Sequence, residues 1–307
     1  MPFHRLSAGV LVAAIAVFGG RTVASQTPAT APVAGTMPYR VPILQYHLIG
    51  DADSRWKRSR DGFRRDLQLL YDRGYRPITV AQLVDRHFDI PRGTSPVVFT
   101  FDDASPGQFS YVERDGKLVV DPNSAVGIWL DFSRRHPDWK TRATFCMLSA
   151  ADSGHAFFGD KGKDGQQTSW RLSKVRFLAA QGFELCNHTL WHAKLSKMSD
   201  AKVQEQIARG ALAIDSAVAG YRVRTFALPQ GLWPRNHALA RAGEWRDPKS
   251  GRVIAYRHDA ILEVTGALQG TPYGPGFDPL VMPRTQVIGD NLGRLLDAIE
   301  PRRFRPR

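Results

Sequence analysis

VVFTFDDASPGQF, residues 97–109, decides how the rest of the chain is read. Val97 to Phe101 is an apolar, β-forming run of the kind that fills a strand buried on both faces. It stops at two adjacent carboxylates, Asp102 and Asp103. Like charges side by side at a buried strand end repel unless a cation or a proton lies between them. A solvated turn or a helix N-cap also accepts Asp, so the pair takes its meaning from its surroundings.

Outward from that strand the pattern alternates. VPILQYH (41–47), PVVFTF (96–101), ATFCML (143–148), FELCNH (183–188), TFALP (225–229) and AILEV (260–264) read as strands. Between them lie segments of helical periodicity. Phe63, Leu67, Leu70 and Tyr71 share a face that closes on Gly74, and Thr79 caps a short helix through His87. AVGIWLDFSRRH, SWRLSKVRFLAAQG, SDAKVQEQIARGALAIDSAVAG, a helix opened by Pro234, and GDNLGRLLDAIE complete the series. Strands alternating with helices predict a parallel α/β sheet, and six or more units in one stretch suit a barrel-like closure. Two long loops, 104–122 and 149–168, interrupt the rhythm as insertions, of the sort that form lids or binding loops. The first contains FSYVERDGKLVV, a hairpin turning at Asp115-Gly116.

In parallel α/β folds functional groups collect at the C-terminal ends of the strands. Those ends carry His47, Asp102 and Asp103, Asn187 and His188, and the turn LPQG (228–231). HTLWH places His188 and His192 four apart; if the chain turns helically there, both imidazoles lie on one face. One carboxylate and two imidazoles supply an oxygen and two nitrogens to a metal, leaving positions open for water and substrate.

VPILQYH, TFDD, NHTLWH and a strand ending in a proline turn, in that order, resemble the polysaccharide deacetylases, the NodB-homology domains of carbohydrate esterase family 4. The branch it looks most like is that of the exported poly-N-acetylglucosamine deacetylases. The resemblance spans roughly residues 40–300. It implies a distorted (β/α) barrel with fewer than eight strands, a single domain over 41–300, and hydrolysis of N-acetyl groups on an amino-sugar polymer. It also implies one divalent ion, zinc first, with cobalt, nickel or iron as alternatives. Residue by residue, Asp103, His188 and His192 match the metal ligands and Asp102 the catalytic base. Gln230, after Pro229, matches the position whose backbone N–H steadies the oxyanion.

The chain also departs from the family pattern. ALPQG (227–231) lacks the arginine that usually precedes the proline by two residues. Arg284, in VMPRTQV, either takes its place from a later strand end or is an ordinary surface arginine. The family's general-acid histidine has no match. His258 precedes its strand, and His47, at the correct end, is either a functional group or a rim residue. Ala104 replaces the commoner Gly after TFDD. Trp191 and Trp233 lie beside the motifs, where they stack on sugar rings or simply pack. A non-catalytic glycan-binding module, or an esterase or other C–N hydrolase on the same scaffold, are the competing readings.

The remaining features concern location. His4 and Arg5, the apolar stretch LSAGVLVAAIAVFGG and small residues near Ala24 predict a cleaved secretory signal over 1–25, with no stable membrane insertion afterwards. A Pro/Ala-rich linker (26–40) follows, and EPRRFRPR reads as a basic tail, 301–307. Cleavage removes Arg5 and Arg21 and lowers the formal charge from +13 to +11. No nucleic-acid motif accompanies that charge; a glycan is the partner that the family resemblance implies. Cys146 and Cys186 are compatible with one disulfide or with two buried thiols. The oligomeric state is not encoded in any motif.

Overall fold

The computed structural model describes residues 38–151, 155–264 and 269–306. The predicted signal lies outside them, as does the linker apart from its last three residues. Eight strands form one sheet: β1 (Ile43–Tyr46), β2 (Tyr75–Ile78), β3 (Ser95–Asp102), β4 (Thr144–Met147), β5 (Glu184–Asn187), β6 (Thr225–Ala227), β7 (Ala260–Leu262) and β8 (Thr285–Gln286). Seven run in the order β7-β6-β5-β4-β3-β1-β8, and β2 pairs with β3. Every pairing is parallel. The long β3 is shared lengthwise: Ser95–Val98 face β2, while Thr100–Asp102 face β4.

The two ends of the order meet through one segment. Met282 bridges to Leu262 of β7, and Thr285 pairs with Leu44 of β1. The expected barrel is therefore present, distorted because a kinked piece around Pro283 does the closing. A proline cannot donate to a ladder, so the segment bonds to one neighbour before it and to the other after it.

Helices pack around the sheet: α1 (Arg60–Asp72), α2 (Val80–Val84), α3 (Ala125–Arg135), α4 (Arg171–Gln181), α5 (Asp200–Ala217), α6 (Ala238–Arg241) and α7 (Asn291–Ile299). Their starts follow the capping chemistry of the sequence. Ser59, Ser124 and Ser199 accept from backbone N–H groups of the first turns of α1, α3 and α5. Thr79 and Gln82 form a capping box on α2. The hairpin Tyr111–Arg114/Lys117–Val120 turns where predicted, with φ of 52° at Asp115 and 70° at Gly116.

The strand period of two divides the core. Val97, Phe99 and Phe101 of β3 join Tyr46, Phe63, Trp129, Phe145 and Leu185 under the helices. Val98 joins Ile43, Cys146, Cys186, Ala227 and Leu262 on the opposite face. Thr100 and Asp102 fall on that inner face by alternation. Cys146 and Cys186 sit directly opposite each other on β4 and β5 and are disulfide-bonded.

Four expectations need correction. The segment read as linker reaches into a strand, since Tyr39–Val41 pairs antiparallel with Thr271–Tyr273. The basic tail is docked: Arg303 donates to Ser95 Oγ (2.6 Å) and Gly74 O (2.9 Å) and lies 4.0 Å from the centre of the Tyr75 ring. Pro234 does not open a helix; α6 starts at Ala238, and residues 242–257 form an antiparallel hairpin against α5. Arg284 precedes β8 rather than ending a strand.

Candidate active site

Asp102 is the last residue of β3 and is 1% exposed. Both its oxygens are held. Arg284 Nη1 donates to Oδ1 and Nη2 to Oδ2, each at 2.8 Å, and Gln45 Nε2 donates to Oδ2 at 2.8 Å. Arg284 is itself buried, with Nε donating to Glu263 O (2.9 Å) and Nη1 to Thr100 Oγ1 (3.1 Å). It is not a surface arginine, and it occupies the space beside Asp102 that the missing arginine of the proline turn was expected to fill. Burial alone would raise the Asp102 pKa. The Arg284 guanidinium, helped by His188 and His47, instead carries it far below the usual carboxylate range.

Asp103 leaves the strand at φ 75° and Ala104 follows at φ 52°. That left-handed pair turns the second carboxylate off the strand line, at a steric cost of about 1–2 kcal/mol per residue for a side chain with a Cβ. Asp103 Oδ1 then lies 3.3 Å from His188 Nε2 and 3.5 Å from His192 Nε2. The three ligand atoms fall within 4.8 Å of one another.

HTLWH is not helical. Thr189 (φ 71°) and His192 (φ 65°) make it a tight left-handed turn. Asn187 Oδ1 accepts from Thr189 N at 2.9 Å, and Thr189 Oγ1 accepts from Ala193 N at 3.2 Å. Gly210 of α5 lets this happen, since a Cβ there would stand 2.4 Å from Asn187 Oδ1. The imidazoles still converge, with ring centres 5.0 Å apart.

These residues fit a divalent cation. His188 Nδ1 lies 2.8 Å from Ala227 O. A carbonyl only accepts, so Nδ1 carries a proton and Nε2 is the ring atom that faces Asp103 Oδ1; burial opposes charging of this ring, but Asp102 and Asp103 leave its pKa raised. Asp103 Oδ1 is buried and has no hydrogen bond. A buried carboxylate oxygen with two imidazole nitrogens converging on it calls for positive charge there, supplied by a ring proton or by a cation between them. The neighbouring charges mark the same place. Burial opposes ionisation of Asp103, but the His188 imidazole beside it leaves its pKa lowered. Burial and then His188 lower His192.

His47 follows β1 with Nε2 4.0 Å from Asp102 Oδ2, its ring edge-on to Trp56, and Nδ1 buried without a hydrogen bond. Burial lowers its pKa against the pull of Asp102. It lines a cavity of about 580 Å³ with Trp56, Asp102, Asp103, His188 and Gln230, rather than sitting on the rim. Gln230 takes φ 57° after Pro229. An adjoining cavity of about 560 Å³ shares Asp103 and His192 and is walled by Trp191, which is 44% exposed. Trp233 instead donates to Glu263 Oε1 at 2.7 Å and stacks on His237.

Three groups at the site were not anticipated. Gln45 was legible, because it lies two residues before His47 on one strand and so shares its face. His155 Nδ1 meets Asp103 O at 3.1 Å and lines both cavities; it comes from the inserted loop and carries no periodic signal. Trp56 lies in the connection before α1 and is equally unmarked.

A family model described as polysaccharide deacetylase matches residues 89–243. Over 115 residues the chain is 28% identical to a chitooligosaccharide deacetylase of Bradyrhizobium sp. (strain ANU 289), covering 33% of this chain and 52% of that protein. The chain thus spans about half the length of that curated relative. Among solved structures it is similar to the Streptococcus pyogenes deacetylase PplD in complex with acetate, at 18% identity and a TM-score of 0.58, over 86% of this chain and 100% of that one. It is also similar to IcaB from Ammonifex degensii, at 17% identity and 0.57, over 86% and 98%. At such identities the likeness establishes the fold.

Proposed function

Because the chain belongs to the polysaccharide deacetylase family, we propose that it is an exported, metal-dependent hydrolase that removes N-acetyl groups from an amino-sugar polymer. The observation that carries this reading is the meeting of Asp103, His188 and His192 with the separately held Asp102 on one cavity wall. The curated relative, a chitooligosaccharide deacetylase, points to the same substrate class.

Asp103, His188 and His192 would hold the ion, and two nitrogens with one oxygen suit zinc, cobalt, nickel or iron. When bound, such an ion polarises an acyl carbonyl and acidifies water. The chain's own residues do the rest. Asp102 receives the proton of the attacking water. Its depressed pKa keeps it ionised at neutral pH, and the two-pronged grip of Arg284 fixes its plane and leaves it little freedom to misalign. The backbone N–H of Gln230 is assigned to the oxyanion. His47, whose Nε2 lies 4.0 Å from Asp102 Oδ2 on the cavity wall, is assigned to take on the proton that Asp102 received and deliver it to the departing amine as the C–N bond breaks. Acetate and a free amino sugar are the products.

The test is acetate release from N-acetylglucosamine oligomers, with and without chelator. Release that stops on metal stripping and returns on zinc addition is expected. Release indifferent to stripping would remove the ion from the mechanism. O-acetylated and other amide substrates in the same panel separate a C–N hydrolase from an esterase. Binding with no release from any of them would favour the glycan-binding module.

A further inference from the structure

A third cavity, of about 570 Å³, lies beside the reaction cavity and shares one residue with it, Arg55. Asp53, Gln286, Ile288, Asn291 and Arg294 form much of its wall. Its charges are unevenly spent. Asp53 accepts from Ser59 N (2.8 Å) and Ser59 Oγ (3.1 Å) and pairs with Arg58 at 3.3 Å. Arg294 is paired with Asp290 at 3.0 Å. Arg55 is exposed, and among the described residues no carboxylate lies within ion-pair distance of it. Its guanidinium instead sits 5.1 Å from the centre of the Trp56 ring.

Trp56 is 42% exposed and makes edge contact with His47. An exposed indole at the edge of the reaction cavity is a platform for a sugar ring. A guanidinium over it adds a planar, two-pronged donor suited to a carboxylate or phosphate. We propose that Arg55, Trp56 and the third cavity form a subsite for the sugar next to the one being deacetylated, and that this subsite selects a sugar bearing an anionic substituent. The proposal rests on the deacetylase reading and names the substrate class within it: an amino-sugar polymer with acidic groups rather than a neutral one.

The experiment uses the zinc-loaded protein and length-matched oligosaccharides of three kinds. One is neutral N-acetylglucosamine oligomer, one carries a carboxylate (a lactyl ether) on alternate sugars, and one carries a phosphate ester there. For each, kcat/KM for acetate release and Kd by calorimetry are measured on wild type, Arg55→Gln and Arg55→Lys. The wild type is expected to prefer an anionic oligomer. Arg55→Gln should shrink the anionic-to-neutral ratio about tenfold, mainly through KM and Kd, as expected when one charge-assisted contact is lost. Arg55→Lys should restore part of it. A preference for the carboxylate series or for the phosphate series identifies the substituent. A ratio that Arg55→Gln leaves unchanged in both series overturns the proposal. Should no oligomer release acetate, the deacetylase reading has failed, and the Kd ratios still decide whether Arg55 reads an anion.

Discussion

Replacing Arg284 by Met tests the central pair of this site most directly. The substitution keeps a long side chain but strips Asp102 of both guanidinium bonds, leaving Gln45 Nε2 as the hydrogen-bond donor to its carboxylate among the described residues. Asp102 is 1% exposed, so water cannot replace what is lost. Breaking a buried pair by removing one partner costs about 3–5 kcal/mol. Against a domain stability of about 5–15 kcal/mol that is a fifth or more of the whole.

The sign of the pH dependence follows. In the wild type the folded-state pKa of Asp102 is lowered. Its stabilisation is present above the unfolded carboxylate pKa and is lost only as the solution becomes strongly acidic. In Arg284→Met, burial is opposed by fewer cations and the pKa moves upward, so protonating Asp102 relieves the fold. The gap between wild type and variant should therefore be widest near pH 7 and narrow toward pH 4. Urea unfolding followed by tryptophan fluorescence measures it. Combining Arg284→Met with Asp102→Asn should recover at least about 2 kcal/mol of the loss, since the unpaired charge is gone. A double variant as unstable as the single one, or a gap that does not change with pH, would refute the pairing argument.

Asp102→Asn should retain bound metal, because none of the three proposed ligands is touched, while acetate release falls about 10²- to 10⁴-fold; metal content and turnover on the same sample check both halves. His188→Ala should lose the metal and the activity together, as read by elemental analysis. His47→Gln should lower kcat by about 10²-fold with the ion still bound. Cys146 and Cys186 are 40 residues apart, so by loop-closure entropy their bond contributes about 4 kcal/mol; a fall of less than 1 kcal/mol between oxidised and reduced protein would contradict this. Lys174 is fully buried, donates to Phe158 O at 2.6 Å, and is pushed by burial down to about 7. The unfolded chain then holds more protons between that value and 10.5, so stability should rise with pH across the window, and Lys174→Met should flatten the rise.

What could be read from the chain beforehand was what periodicity and short spacing encode. Strand ends gathered His47, Asp102, Asp103 and His188, and Thr79 marked the start of α2. What escaped depended on contacts far apart in sequence. Arg284 lies 182 residues from Asp102, and only the closing of the barrel shows that it is buried. The turn of HTLWH looked helical because four-residue spacing suits a helix, yet Asn187 and the bare surface of Gly210 impose a left-handed route to the same convergence. The hairpin at 242–257 was missed because its second strand alternates in burial but not in polarity: Val253 and Ala255 are exposed yet as apolar as the buried Ile254 and Tyr256 between and beside them. Arg303 was read as tail because charge near a terminus suggests solvent, whereas its guanidinium lies over the Tyr75 ring.

The piece that completes the ring, Met282 to Val287, also carries the counter-ion of Asp102. Ribosomal synthesis runs from the N-terminus, so the acidic half of this pair emerges long before its basic half. Until the last strand docks, the inner wall holds a carboxylate without its guanidinium partner, and a partly assembled chain is discouraged from settling into a near-native shape. Closing of the scaffold and neutralisation of its inner carboxylate are thereby one event.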